Sequence, residues 1–435
     1  MTKKMKFRHL GALVLVLSLV AAACGDDDDA TTTTTAAPVA EFTPGALGAV
    51  SIADGDAVEI RALQSISGAT AFLGDDQVRG MELAIEDYGD INGHSVNLGT
   101  PEDDLCSAEG GQSGAQAILA QEGVIGVVGT TCSGAAAAAS PLLSAAGMVL
   151  ISGSNTSPSL TSDLEGTAGE NYQPGYYRTA HNDLFQGATA ARFAFEELGL
   201  TKAAGIHDGD PYTDGLATAF ANAFAALGGE VVIYTAVNAD DTDMTAVLTA
   251  VAAAGPEVVY FPIFQPAGDF IIQQAGGVAG LEDVTWFGAD GLLVTDFMEL
   301  PESEGMYFSG PDLRFGANQG LTGATYDSIV TRYEADYGEA PLAAFHAHTY
   351  DATLMLLSAI EAVAVVDAEG TMWVDRAALR KELDNTSGFS GVTGTLECDG
   401  FGDCGAQAIA IVRHTDSADV EAGKANVVFS FSPTG

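Results

Sequence analysis

The stretch VIGVVGTTCSGAAAAASPLLSAAGMVLI, residues 124–151, contains two apolar runs separated by an alanine-rich segment. The runs at residues 124–128 and 148–151 are almost entirely apolar, which is typical of strands buried on both faces. Residues 135–146 between them are small or apolar and favour a helix. A strand, a helix and a second strand in that order form a βαβ unit, whose two strands run parallel.

The same alternation continues along most of the chain. It predicts an α/β fold with parallel sheets and helices on both of their faces. Because the predicted strands outnumber those of one ordinary sheet, and polar or glycine-rich breaks near residues 177–182 and 310–316 divide them, we expect two similar lobes with chain crossings between them. The predicted strands are residues 58–63, 124–128, 148–151, 203–207, 231–234, 258–261, 284–287 and 306–308. The predicted helices are residues 77–88, 108–121, 135–146, 184–198, 213–227, 244–254 and 268–275.

The composition indicates a folded chain and excludes two kinds of partner. The chain has 435 residues, 47% of them hydrophobic, and 16 Lys and Arg against 59 Asp and Glu give a formal net charge of −43. Affinity for nucleic acid comes mainly from Lys and Arg at phosphates, and docking on anionic lipid needs a basic surface. We therefore expect a soluble, self-repelling monomer that binds neither nucleic acid nor anionic lipid surfaces.

The first 23 residues are predicted to be a signal peptide. Four basic residues precede an apolar run, residues 10–23, that is too short to span a bilayer comfortably. Small residues directly before Cys24 resemble the lipobox of bacterial lipoproteins, in which the cysteine is lipidated; ordinary cleavage is the alternative. The polar tract after Cys24 suits a flexible tether. Residues 24–57 are thus predicted to be a lipidated linker, and the globular part is predicted to start near Val58.

The remaining four cysteines point to disulfides, because they are even in number in a chain predicted to be exported. Cys398 and Cys404 flank a glycine-rich turn, and Cys106 and Cys132 are separated by a predicted helix and strand. We pair them in that way, although four cysteines allow three connectivities. A zinc site of four thiolates is the alternative, but neither pair has the close spacing that zinc sites favour. We expect no metal.

Loops rich in hydroxyl groups follow two neighbouring predicted strands. Residues 129–134 lead into the alanine-rich helix, so backbone N–H groups and the Ser133 hydroxyl point where an anion can rest. The next strand is followed by the hydroxyl-rich residues 152–158. Together these loops resemble a carboxylate-binding site, whereas helix capping alone is the alternative interpretation. A phosphate loop is excluded because no Lys lies nearby.

From Val58 onward the sequence resembles the periplasmic solute-binding proteins of the leucine/isoleucine/valine-binding type, which serve ABC transporters. The resemblance covers nearly all of the chain beyond the linker, and it depends on several short motifs in the right order rather than on any one of them. The motifs are SISG at 65–68, RGMELAI at 79–85, VGTTCS at 128–133, residues 151–161, IHD at 206–208 with Tyr212, FGADG at 287–291 and TYDA at 349–352.

The resemblance implies a carboxylate site in the first lobe. In the amino-acid-binding members, the Ser after the Cys holds the ligand carboxylate, which corresponds to Ser133, and Thr131 presents backbone beside it. The loop after the next strand contributes a backbone group and a Thr, which match Ser154 and Thr156. A family disulfide before this site also supports the pairing of Cys106 with Cys132.

The resemblance implies an ammonium site in the second lobe. An aromatic residue after that lobe's first strand corresponds to Tyr212, and another at the third strand end corresponds to Phe264. The acid that receives the ligand ammonium is usually Glu, and Asp290 takes its place with a shorter reach. Leu73 stands where leucine binders have a Tyr, so the side-chain specificity of the pocket is left open.

The resemblance further implies a type I periplasmic binding protein whose two Rossmann-like lobes are joined by a three-segment hinge. The expected lobes are residues 58–178 with 312–395, and residues 179–311 with 396–435. We expect an extracytoplasmic protein, anchored to the outer face of the cell membrane through a lipid on Cys24. Such a protein captures a small polar solute, most simply a branched-chain amino acid, and delivers it to ABC transporter permease subunits. No cofactor is expected.

The sequence does not favour an enzyme. It contains no H-E-x-x-H and no G-x-S-x-G motif, and its cysteines are predicted to be paired. His346 and His348 are two residues apart, so on a helix they point in different directions and are not expected to hold a metal. The alternatives are a ligand-sensing component for a membrane receptor, or a binder of amides, urea or aromatic acids.

Overall fold

The computed structural model describes residues 42–432. The predicted signal peptide, Cys24 and most of the predicted linker lie outside the described residues. The end of that linker is a correction, because Ala49–Ile52 is a strand that pairs antiparallel with Met372–Asp375. Val50 and Ile52 are buried while Ser51 is exposed, so this short strand has the two-residue period of a half-buried sheet. The folded part therefore begins before Val58.

The amino-terminal sheet has six strands, and all of its pairings are parallel. Strand Val58–Gln64 lies inside it, between the strands at residues 96–97 and 124–129. The predicted break near residues 177–182 starts later than expected, because Tyr176–Arg178 is the last strand of this sheet. In chain order the strands are Val58–Gln64, Val96–Asn97, Glu102–Asp103, Val124–Gly129, Val149–Ser152 and Tyr176–Arg178.

The carboxyl-terminal sheet has seven strands, and most of them are parallel, as the sequence predicts. Its first five strands along the chain are parallel, whereas Ile409–Arg413 and Val427–Phe431 are antiparallel to their neighbours. The chain reaches Ile409–Arg413 from the other lobe rather than through a βαβ crossover, so nothing forces a parallel direction there, and Val427–Phe431 then pairs with this strand. The strands are Lys202–His207, Glu230–Ala236, Val258–Tyr260, Thr285–Ala289, Tyr307–Pro311, Ile409–Arg413 and Val427–Phe431.

Helices cover the sheets, and all seven predicted helices are confirmed with shifted ends. Five further helices follow residue 290, beyond the last predicted helix. The longest of them, His346–Val363, is buried on nearly every side and therefore lacks the amphipathic pattern that identifies surface helices. The helices are Ala71–Tyr88, Ala108–Leu119, Ser133–Ala145, Asp183–Arg192, Pro211–Ala226, Thr245–Ala254, Ala267–Ala275, Thr295–Met298, Tyr326–Tyr337, His346–Val363, Arg376–Asp384 and Val420–Ala425. Short strands also occur at Val365–Val366, Phe389–Ser390 and Thr395–Leu396.

Each sheet with its helices forms one lobe, so the predicted two-lobed α/β fold is confirmed. Both predicted disulfides, Cys106–Cys132 and Cys398–Cys404, are present. No helix within residues 42–432 is both long enough and apolar enough to cross a membrane.

A buried ion pair fixes one of the chain segments between the lobes. Arg178 ends the amino-terminal sheet, and its Nε and Nη2 donate to the two carboxylate oxygens of Asp403 at 2.7 and 2.8 Å. Burial opposes ionisation of Asp403, but the charge and hydrogen bonds of Arg178 outweigh it and lower the pKa of the carboxyl group. Arg178 Nη1 also donates to the backbone oxygens of Asn155 and Ser157. The pair thereby holds the loop at residues 155–157.

Candidate functional site

A small cavity, of about 330 Å³ when the space at its opening to solvent is included, lies where strand ends of the two lobes face each other. Thr131 follows strand Val124–Gly129 of the first lobe, and Asp290 follows strand Thr285–Ala289 of the second. Ligands of doubly wound sheets bind at such carboxyl ends, as the sequence predicts. We call this space the solute cavity. Its lining residues are Leu73, Gln77, Thr131, Cys132, Ser133, Ser154, Tyr212, Phe264, Asp290, Gly291 and Phe345.

Six of the seven predicted ligand-binding residues line the solute cavity. The first lobe supplies Thr131, Ser133 and Ser154, and the second supplies Tyr212, Phe264 and Asp290. The structure therefore brings together residues that are up to 159 positions apart in the chain, between Thr131 and Asp290. The seventh, Thr156, is not among the lining residues.

Thr156 lies behind the cavity wall beside the first residue of helix Asp183–Arg192. The backbone N–H of Asp183 donates to the Thr156 carbonyl oxygen at 3.0 Å. The Thr156 hydroxyl lies near the Asp183 carboxyl group, but neither side chain forms a hydrogen bond of good geometry with the described residues. Burial, followed by the nearby charge of Asp290, raises the pKa of Asp183 well above its usual range. A direct contact between Thr156 and a ligand therefore stays a prediction.

Ser133 is the first residue of helix Ser133–Ala145, at the end that carries free backbone N–H groups. Its Oγ accepts a hydrogen bond from the Ser157 backbone N–H at 3.3 Å, so the Ser133 hydroxyl proton is left to donate elsewhere. The positive end of the helix dipole adds to this preference for negative charge. Ser133 is therefore suited to hold a carboxylate oxygen.

The hydroxyl group of Thr131 has a structural role. It donates to Gln64 Oε1 at 2.7 Å and accepts from the Ser65 backbone N–H at 2.9 Å. The Thr131 backbone N–H donates to Asp104 Oδ2 at 2.7 Å. Ser154 Oγ in turn donates to Gln77 Oε1 at 2.9 Å. These bonds fix the first-lobe wall before any ligand arrives.

Asp290 is the one carboxylate among the lining residues. Its Oδ1 accepts hydrogen bonds from Gln186 Nε2 at 2.6 Å and from the Tyr212 hydroxyl at 3.2 Å. Burial raises the pKa of Asp290 to about 6, while these two hydrogen bonds partly oppose the rise. Asp290 is thus a buried, oriented anion that ionises near neutral pH and needs a cationic partner to offset its lost hydration.

Aromatic rings form the second-lobe wall next to this carboxylate. The rings of Tyr212 and Phe264 lie 5.0 Å apart at an interplanar angle of 35°. The Tyr212 hydroxyl also accepts from the backbone N–H of Gly291 at 3.2 Å, so the ring is held at the cavity. Such ring faces attract cations and provide apolar surface.

Gln77 and Phe345 are among the five lining residues that were not predicted from the sequence as ligand contacts. Gln77 belongs to helix Ala71–Tyr88, and Phe345 directly precedes helix His346–Val363. Gln77 is a buried amide that also donates to Leu73 O at 3.1 Å. The only feature of the sequence that could have identified it is the presence of a polar residue at a buried position of a helix. No feature of the sequence identified Phe345, because the helix that it precedes was not predicted.

The arrangement can bind a zwitterion without any basic side chain. No Lys or Arg is among the residues that line the solute cavity. A carboxylate would therefore meet hydroxyl and backbone N–H donors on one wall, while a cation would meet Asp290 on the other. Within residues 42–432, no three His, Cys, Asp or Glu side chains are grouped so as to hold a metal ion.

Comparison with known proteins agrees with this geometry. The family model described as periplasmic binding protein matches residues 57–418. An amino acid binding protein of Pseudomonas aeruginosa is 31% identical over 258 residues, which cover 59% of this chain and 66% of that protein, just under two thirds of its length. Leu/Ile/Val-binding protein homolog 3 of Brucella melitensis is 28% identical over 365 residues, which cover 82% of this chain and 92% of that protein. A leucine binding protein of Thermotoga maritima shares the fold, with a TM-score of 0.72 at 23% identity over 87% of this chain and 99% of that structure.

Proposed function

This chain belongs to the periplasmic binding protein family, and from that premise we propose that it captures a small α-amino acid with an aliphatic side chain. The observation that carries the proposal is the pairing of one buried anion, Asp290, with a facing wall of neutral donors around Ser133. A zwitterion matches these two walls, because its ammonium and carboxylate groups are separated by a single carbon atom.

Each wall would compensate for the water that the solute loses. Asp290 would form a charge-assisted hydrogen bond with the ammonium group, and Ser133 with the N–H groups beside it would bind the carboxylate. Leu73, Phe264 and Phe345 would pack against an aliphatic side chain. Since both lobes contribute, binding would stabilise the arrangement in which they meet around the solute.

A thermal-unfolding panel tests the proposal. We expect leucine, isoleucine and valine to raise the unfolding midpoint, whereas urea, acetamide and benzoate should leave it unchanged. A ligand at a thousandfold excess over its Kd raises the free energy of unfolding by about 4 kcal/mol, which such a panel detects readily. A midpoint raised only by uncharged amides would contradict the zwitterion proposal.

The family works outside the cytoplasm, and we propose that this chain delivers its solute there to ABC transporter permease subunits as a monomer anchored through Cys24. The support is the basic and apolar start of the sequence with small residues before Cys24. Mass spectrometry of the protein purified from membranes should find a lipid on Cys24. The variant Cys24→Ser should move the protein to the soluble fraction, and retention in the membrane would contradict the anchor.

A further inference from the structure

A buried amide lies behind the second-lobe wall and contacts the anion of the solute cavity. Gln186 belongs to helix Asp183–Arg192 and is fully buried, yet it is not among the residues that line the cavity. Its Nε2 donates to Asp290 Oδ1 at 2.6 Å, which is the shorter of the two hydrogen bonds that this oxygen accepts. Gln186 can therefore act on a ligand only through Asp290, without touching the ligand itself.

The orientation of the Gln186 amide is fixed by its other partners. Its Nε2 also lies 3.1 Å from the backbone oxygen and 3.1 Å from the hydroxyl oxygen of Ser309. A backbone oxygen and an ionised carboxylate only accept, so the amide nitrogen and not the amide oxygen faces them. The amide oxygen accepts from Nε2 of the buried His181 ring. The amide cannot turn over without losing hydrogen bonds at both of its ends.

The two oxygens of the Asp290 carboxylate differ as a result. Oδ1 accepts from Gln186 and Tyr212, whereas Oδ2 accepts no hydrogen bond from another described residue. Oδ2 is also not among the unpartnered side-chain atoms that are closed to solvent, and Asp290 lines the solute cavity with 7% of its surface exposed. Oδ2 is therefore the carboxylate oxygen that is both unpaired and accessible to a solute.

We propose, on the basis of the function proposed above, that Gln186 is the positioning residue of the ammonium site: by holding Oδ1 it turns Asp290 so that Oδ2 faces the ligand ammonium. A carboxylate that is held before binding loses less rotational freedom when the ligand arrives. The donated hydrogen bond also favours the ionised form of Asp290, and it opposes the rise in pKa that burial causes.

The pKa of Asp290 reports this hydrogen bond without any ligand. The other titratable groups around Gln186 and Asp290 are His181, Asp183, Tyr212 and Tyr260. Burial raises the pKa of Asp183 as well, so the measurement must separate the two carboxyl groups. A carbon-13 NMR titration of the ligand-free protein, labelled at its aspartate carboxyl carbons, separates them, because the Asp290 signal is absent from Asp290→Asn.

Two variants of Gln186 test the proposal. Gln186→Met is similar in length but lacks the donor, so we expect the pKa of Asp290 to rise by about one unit. The Kd for leucine at pH 8, where Asp290 stays mostly ionised, should rise about twofold to tenfold, because one more side chain is ordered on binding. Gln186→Asn keeps the amide but withdraws it from Asp290. It should give shifts in the same direction, and it decides the question if Gln186→Met does not fold.

The matched control is Gln274→Met in the same lobe. Gln274 also bridges two backbone groups, at 2.8 Å each, but it neither lines the solute cavity nor contacts Asp290. This variant should change neither the pKa of Asp290 nor the Kd for leucine. An unchanged pKa or an unchanged Kd in the Gln186 variants overturns the proposal. If the wild-type protein binds no amino acid while the pKa still shifts, the proposed function fails and the positioning of Asp290 by Gln186 stands.

Discussion

The two walls of the solute cavity are built in different ways. The first-lobe wall is neutral and is held by hydrogen bonds among its own hydroxyl and amide groups, such as the bond from Ser154 Oγ to Gln77 Oε1. The second-lobe wall carries a buried charge, Asp290, with the aromatic rings of Tyr212 and Phe264 beside it. The difference indicates that recognition is divided, with many weak donors for a carboxylate and one strong anion for an ammonium group.

The largest expected effect comes from removing the single charge. In Asp290→Asn the ligand ammonium would be buried without a counter-ion, which typically costs at least 2 kcal/mol. We therefore expect the Kd for leucine, measured by calorimetry, to rise by at least about 30-fold. The matched control Asp283→Asn removes an exposed carboxylate and should leave the Kd unchanged. Equal Kd values for the two variants would show that the charge of Asp290 does not contribute to leucine binding.

A smaller loss is expected on the neutral wall. Ser133→Ala removes one donor to the ligand carboxylate, but the backbone N–H groups at the start of its helix remain. We expect the Kd for leucine to rise about tenfold, as for one hydrogen bond to a charged group. A loss of affinity as large as that caused by Asp290→Asn would show that Ser133 alone, rather than several weak donors, binds the ligand carboxylate. Ser144→Ala, on the same helix and away from the cavity lining, is the control.

The walls should also differ in their response to pH. Because burial raises the pKa of Asp290 to about 6, the carboxyl group is ionised at pH 8 and increasingly protonated below pH 6. Protonation removes the counter-ion, so affinity for leucine should fall as the pH is lowered, by about tenfold at pH 5. Asp290→Asn should abolish this dependence, whereas Ser133→Ala should retain it. A wild-type Kd that is constant between pH 8 and pH 5 would be inconsistent with Asp290 as the counter-ion.

The smallest effect is expected for the aromatic part of the second wall. Phe264→Leu keeps apolar bulk and removes the ring face beside Tyr212. An aromatic contribution of about 0.5–1.5 kcal/mol corresponds to a rise in Kd of roughly threefold to tenfold. Valine and leucine titrated against the same variant show whether the ring contacts the ammonium, which both ligands share, or the side chain. A loss confined to leucine would assign Phe264 to side-chain packing.

The sequence revealed most of the regular fold because its strands are continuous apolar runs. All eight predicted strands are present. Seven of them are largely buried, which leaves a strong apolar signal, whereas the edge strand Glu230–Ala236 is only partly buried. The antiparallel strands at residues 409–413 and 427–431 were missed, because they lie beyond the parallel βαβ series that identified the others. Helix His346–Val363 was missed because burial on nearly all sides removes its periodicity.

The site was predictable where it coincides with strand ends and not where it depends on packing. Asp290 directly follows a strand, and Ser133 lies at the start of the helix that follows another. Sheet topology and the family resemblance were therefore sufficient to locate them. Phe345 reaches the cavity only through tertiary packing of a helix that was not predicted. Thr156 occupies the expected loop, yet the local chain turns it toward Asp183, and the sequence contained no information on that direction.

The most direct test of divided recognition is a calorimetric cycle with two ligands and two proteins. The ligands are leucine and 4-methylpentanoate, which has the same carboxylate and side chain but no ammonium group; the proteins are the wild type and Asp290→Asn. We predict that Asp290→Asn weakens the binding of leucine by at least about 30-fold. The same variant should bind 4-methylpentanoate with unchanged or higher affinity, because an unpaired anion no longer faces this ligand. Equal losses for both ligands would contradict the assignment of Asp290 to the ammonium group.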